Sequence, residues 1–265
     1  MRATLRDEAL EGWASRARSR SGGDDMHFLD PSRSARAVAL LALAVVLVAP
    51  TASRAAGAKR VTLDSIKGAF GEVPILGADP LASKKVEWQP TGKARYDQFL
   101  QDAAFMDAGM IVSQATTDTL TTSLKGYARN IAASGAMKDA AKEIVGDTPP
   151  DQLSEEQSLA LLALKKKMAS LSEEELAFAT KGAASATVVG GFLAKVPETS
   201  TQLVEQGSSL SQSVSKDFTG FDAMKVPGVG AALALSGVHV KDAAERAPEL
   251  AKAITRLAQG LGSLL

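Results

Sequence analysis

Few residues in this chain are of a type that does chemistry, and they do not cluster. The 265 residues include no Cys. That removes thiol catalysis, disulfides, thiolate metal sites, iron–sulfur clusters and lipid attachment at an N-terminal Cys. Past residue 58 the only His is His239, set between Val238 and Val240. A hydrolytic triad needs a base with an activated nucleophile beside it, and no Ser–Asp set is recognisable around this one. His239 reads as a polar residue at a helix boundary. One His without Cys is too little for a zinc site, and no EF-hand spacing is present. Gly228-Val229-Gly230 has the spacing that opens a dinucleotide loop, but no strand precedes it and Leu233 stands where a third small residue belongs. Lys165-Lys166-Lys167 reads as a solvated face matched to a helix C-terminus rather than as a phosphate or lipid site. Carboxylates are numerous, but they fall in the first turns of helices or opposite lysines. No catalytic, cofactor-binding or metal-ligating residue is assigned, no cofactor is expected, and the chain is read as a non-enzyme.

The elements around these residues are helical in character. Hydrophobic residues make up 45% of the chain and aromatic residues only 5%. Small side chains with few rings favour close-packed helices over β-sandwiches. The formal net charge is zero. Without a basic excess, and without aromatic stacking platforms, nucleic acid is not an expected partner.

The first 58 residues read as an N-terminal extension plus a secretory signal peptide. Arg33 and Arg36 precede 13 apolar residues, Ala37–Ala49, followed by Pro50 and a small-residue stretch. Ala56-Gly57-Ala58 is an A-x-A cleavage site and Ser53-Arg54-Ala55 an alternative. A spanning helix needs about 20 apolar residues, so a membrane anchor is the weaker reading. Separated arginines do not suit the twin-arginine route. Met26 would give a signal sequence of ordinary length, so translation starts at Met1 or Met26. A mitochondrial presequence is disfavoured by Asp7, Glu8 and Glu11. Residues 59–265 carry 22 basic and 24 acidic residues.

Residues 59–92 read as an irregular arm, broken by Pro74, Pro80 and Pro90, whose Val73, Ile75, Leu76, Leu81 and Trp88 pack on a body. From Lys93 the spacing turns helical. Tyr96, Phe99, Ala103, Met106, Met110, Ser113, Thr117, Leu120, Leu124, Tyr127 and Ile131 form one stripe. Its polar step at Ser113 and Thr117, and the β-branched residues around it, predict a kink or hinge over 113–122. A short helix over about 135–145 ends at Gly146. Capping boxes at Ser154–Gln157 and Ser172–Glu175 start two more. In the second of these, Gly182, Ala186, Gly190 and Ala194 form a small-residue stripe for close helix approach. Pro197 kinks that helix or starts another, with a seam at Leu203, Gly207, Leu210 and Val214. Gly220 to Gly237 reads as a break. A final helix carries Val240, Ala243, Ala247, Leu250, Ile254, Leu257, Leu261 and Leu264, with Asp242 and Glu245 placed to cap its start and Pro248 as its kink or true first turn.

The expected fold is all-α: an elongated up-and-down antiparallel bundle over 93–265, of four to five helices, two of them long, behind an irregular N-terminal arm. Two functions fit such a chain. One is an exported, non-enzymatic helical protein, periplasmic or secreted, acting by interaction with another envelope protein or with itself. The other is a membrane- or lipid-active helical protein, of pore-former or lipid-carrier type, in which Gly182–Val196 and Val226–Val240 leave the bundle.

Overall fold

The computed structural model describes residues 57–265. The expected signal peptide, its apolar run at 37–49 and the two start positions lie outside the described residues. Two-residue strands β1 (Lys59–Arg60) and β2 (Glu87–Trp88) pair antiparallel, Lys59 opposite Trp88. Between them lies helix α1 (Leu63–Phe70), started by a Thr62–Ser65 capping box. The arm is therefore less irregular than expected. Its loop is held by Arg60, whose guanidinium donates to the carbonyls of Leu81, Ala82 and Lys84 at 2.9–3.0 Å. Its apolar residues do pack on the body: Val73, Leu81 and Val86 are buried, and the Ile75 amide donates to Ser185 Oγ.

The body is all helical: α2 (Ala94–Ala133), α3 (Lys138–Val145), α4 (Glu155–Ala169), α5 (Glu173–Leu193), α6 (Val196–Asp217) and α7 (Val226–Gly262). α2 and α7 are the two long ones, with 40 and 37 residues. At 1.5 Å per residue they are roughly 60 and 55 Å long. The stripe on α2 is buried as its spacing requires, except that Tyr127 is half-buried and Ala128 takes the inner place.

Helical hydrogen bonding continues through 113–122, where a kink or hinge was expected. The Ser113, Thr116 and Thr117 hydroxyls donate to the carbonyls one turn back, at 2.7–2.9 Å. That bonding satisfies the hydroxyls inside the core while the helix runs on unbroken.

Both Ser-Glu-Glu starts form complete capping boxes. Lys165 departs from the solvated face expected of it. Its ammonium donates to both carboxylate oxygens of Glu175, at 2.7 and 2.8 Å, and Glu175 also accepts from its own N-cap amide. The pair ties the end of α4 to the start of α5. Burial alone would raise the Glu175 carboxyl. The Lys165 hydrogen bond and those at Ser172 outweigh it and hold the group below its ordinary range.

Three columns build the bundle. α5 and α6 follow each other with one break at Ala194-Lys195, Pro197 lying in the first turn of α6 where its missing N–H leaves no bond unmade. α7 returns along both. Contacts fix the register: Gly182 lies against Leu120 and Leu261, Gly109 against Phe192, Gly207 against Phe99, and Tyr96 against Leu210 and Phe218. α2 and α7 therefore run the same way, antiparallel to α5–α6.

The small-residue stripe works as expected at Gly182. A Cβ there would sit 2.7 Å from Leu261 Cδ1 and 2.9 Å from Leu120 Cδ2. α4 is a fourth column at one end only, with Thr121 bonded to Glu155 and Leu159 against Gly260.

The expected break over 220–237 is much shorter. Only a turn at Phe218–Lys225, partly 3₁₀, separates α6 from α7. α7 starts at Val226, with Pro227 in its first turn, and runs through Gly228, Gly230, Gly237 and Pro248. Alanines and leucines between the glycines keep helix propensity adequate, and Val229, Leu233 and Val240 are buried along the inner face. Asp242 and Glu245 consequently lie mid-helix and cap nothing.

Candidate functional site

The first half of α7 keeps one apolar face uncovered. From Val226 to Val240 it has no charged residue; Ser236 and His239 are its only polar side chains. Val229, Leu233 and Val240 turn inward. Gly228, Ala231, Leu235 and Val238 are exposed, Leu235 by 59% and Val238 by 63%. Their spacing is 3, 4, 3, so they form one straight row along the helix. Pro227 and Ala234, also exposed, widen it. Asp242, the next position in the row, ends it.

Two stretches of the described chain are long and apolar enough to cross a membrane by length and composition, Glu173–Asp217 and Gly220–Gly262. In the first, 39% of the most apolar window is buried; in the second, only 17%. A helix apolar on all sides is ordinarily covered on all sides.

The row continues into the turn, where Phe221 is 97% exposed and Met224 85% exposed. Sequence reading missed both, because it treated Gly220–Gly237 as an irregular break. The signal was their position: two large apolar side chains beside Gly220, in a stretch that offers no core of its own.

His239 marks the far end of the uncovered half. Its Nδ1 lies 3.5 Å from Asp107 Oδ2 on α2. The two face a cleft of about 340 Å³, also lined by Lys84, Asp118, Asp242 and Arg246. Burial raises the Asp107 carboxyl; His239 and Arg246 pull it down and Asp242 adds to the rise. No serine hydroxyl lines the cleft, and among the described residues no three His, Asp or Glu side chains converge as metal ligands. The arrangement can bridge α2 to α7 by an ion pair. His239 is not the helix-boundary residue expected of it: α7 starts at Val226, so His239 lies well inside the helix.

Gly228-Val229-Gly230 lies in the first turns of α7 and forms no loop. A second hollow, about 290 Å³, lies where α1 covers the α5–α6 break. Phe70 stacks there at 4.6 Å from Phe192 and meets Phe105 edge-on at 6.4 Å. Asp102 and Lys195 also line it.

Comparison with family models, with curated proteins and with solved structures gives no match to this chain.

Proposed function

We propose that this chain works by association rather than catalysis, as an exported helical protein of the cell envelope whose working surface is the uncovered face of α7. One observation carries the reading: Gly228, Ala231, Leu235 and Val238 make an exposed apolar row on a rigid helix with the 3-4 spacing of a helix-pairing seam. Gly and Ala in such a row let another backbone approach closely, and Leu and Val give the contact its apolar area. The fitting partner is a helix with its own apolar row, from another envelope protein or from a second copy. Export is supported by the basic, apolar and small-residue sequence ahead of residue 59.

The absence of Cys makes the test direct. Ala231→Cys, on the row, and Ser208→Cys, on the outer face of α6, each place a single thiol on an exposed position. In exporting cells treated with a short bifunctional maleimide, Ala231→Cys is expected to give a discrete adduct that Leu235→Glu with Val238→Glu abolishes. If Ala231→Cys gives no more adduct than Ser208→Cys, the reading fails.

A further inference from the structure

We propose that the turn between α6 and α7 is a membrane-contact tip, placing Phe221 and Met224 in the headgroup region of an anionic bilayer while the cationic side chains around the turn meet lipid phosphates. The inference goes beyond the association reading and uses different side chains, so each stands or falls separately.

The turn has an inner and an outer side. On the inner side Phe218, 1% exposed, lies with its ring 5.1 Å from Tyr96. The Tyr96 hydroxyl donates to Asp217 at 2.6 Å. Gly220, at φ +62°, then takes a conformation that side chains disfavour and turns the chain outward. Phe221 and Met224 follow, and they are the most exposed large apolar side chains among the described residues. Single exposed apolar residues are ordinary. Two on one firmly anchored turn, at the end of an uncovered apolar helix, form a projecting apolar tip.

Charge around the tip selects its partner. The Lys93 ammonium lies 5.2 Å over the Phe218 ring. Arg95 pairs with Asp217, Lys225 pairs with Asp222 at 2.8 Å, and Lys216 is exposed one residue before Asp217. Asp97 is the next carboxylate along α2, and it accepts from the Thr91 amide and hydroxyl. Counting it, cations still exceed carboxylates here, whereas residues 59–265 as a whole are slightly acidic. Two helix N-termini, those of α2 and α7, open at this end against one C-terminus, that of α6, so the helix ends also leave a partial positive charge.

An apolar projection with a basic collar is what an anionic lipid surface binds, the affinity rising with buried apolar area and with charge. Behind the tip, no acidic residue occurs between Asp222 and Asp242. The start of α7 can therefore approach the interface without desolvating a carboxylate.

The experiment uses the full chain with one thiol, Ala223→Cys at the tip or Gln259→Cys near the other end of α7, labelled with an environment-sensitive fluorophore. Both positions are exposed. Each is titrated with phosphatidylcholine vesicles and with vesicles containing phosphatidylglycerol as well. A blue-shifted, brighter emission is expected from the Ala223 label with the anionic vesicles only, and no change from the Gln259 label. Phe221→Ser with Met224→Ser should weaken that binding about tenfold or more, at unchanged helicity because neither side chain is in the core. Lys93→Gln with Lys225→Gln should weaken it severalfold. The proposal is overturned if the Ala223 label stays water-like with both vesicle types, or responds equally in the Phe221/Met224 variant. It is also overturned if the label shifts with protein concentration in the absence of lipid, which would make a second copy the occupant.

Discussion

Gly182–Val196 and Val226–Val240 are matched stretches by composition: both apolar, both glycine-bearing, both 15 residues long. The fold uses them oppositely. In the first, Ala186, Val189, Leu193 and Val196 are at most 3% exposed, and Gly182 is glycine because Leu120 and Leu261 occupy the space of a side chain. In the second, Leu235 and Val238 face solvent, and Gly228, Gly230 and Gly237 have nothing within 4 Å of where a Cβ would be. Packing within this chain does not explain those three glycines. The difference comes from the neighbours: α5 is packed by α2 and α7 and also by the arm, with Ser185 bonded to the Ile75 amide and Val188 beside Gly71, whereas the outer face of α7 stays exposed.

Removing side chains sharpens the contrast most. Leu193→Ala should lower stability by about 3 kcal/mol, through lost burial and a residual cavity. Leu235→Ala should change it by less than about 0.5 kcal/mol. Denaturant titration of the two variants side by side measures this, and equal losses would mean that α7 is covered within the monomer.

Adding a methyl group inverts the sign. Gly182→Ala should destabilise by about 2 kcal/mol, because two leucines must move. Gly228→Ala should stabilise by about 0.7 kcal/mol through helix propensity, readable as a raised Tm. A fall in Tm for Gly228→Ala would show that the segment needs flexibility or a close neighbour.

Glu175→Gln keeps an amide oxygen for the capping box but loses the ion pair with Lys165, and should cost about 1.5 kcal/mol at neutral pH. Because the Glu175 carboxyl is held low in the fold, its contribution is present above the ordinary Glu range and is lost as pH falls through the lowered value. The gap between wild type and variant should close on acidification, in thermal melts taken across pH 3 to 7.

Asp107→Asn has the smallest expected effect and the opposite slope. Burial raises this carboxyl, so its stabilising share is present below the ordinary Asp range and lost as pH rises through the raised value. Relative to wild type, the variant should gain Tm as pH climbs from the ordinary Asp range through the raised value. A difference that stays level with pH would mean that His239 and Arg246 fully offset the burial.

Much of the fold was legible in the sequence, because the signals were local. The Ser154 and Ser172 capping boxes, the Gly146 stop and the apolar spacing on α2 each depend on residues within one or two turns, and each appears where expected. The start of α7 was not legible. Three glycines and a proline within twelve residues look like a break, yet Pro227 sits where no N–H is needed and the inner face of the segment finds α6. The candidate surface was half legible. Val226–Val240 stood out as apolar, but which apolar stretch stays uncovered depends on which helices and arm residues pack over it, a long-range fact without a local signature. Asp107 could not be paired with His239 either, since 131 intervening residues separate them.

The order of the columns also has a consequence in time. α7 touches α2, α5 and α6 along its length, and every one of them precedes it in the chain. Until it has been made, Gly182 and Gly190 lack the Leu261 and Ile254 side chains that close over them. A polypeptide arranged this way can complete its core only after its last long helix has joined the others.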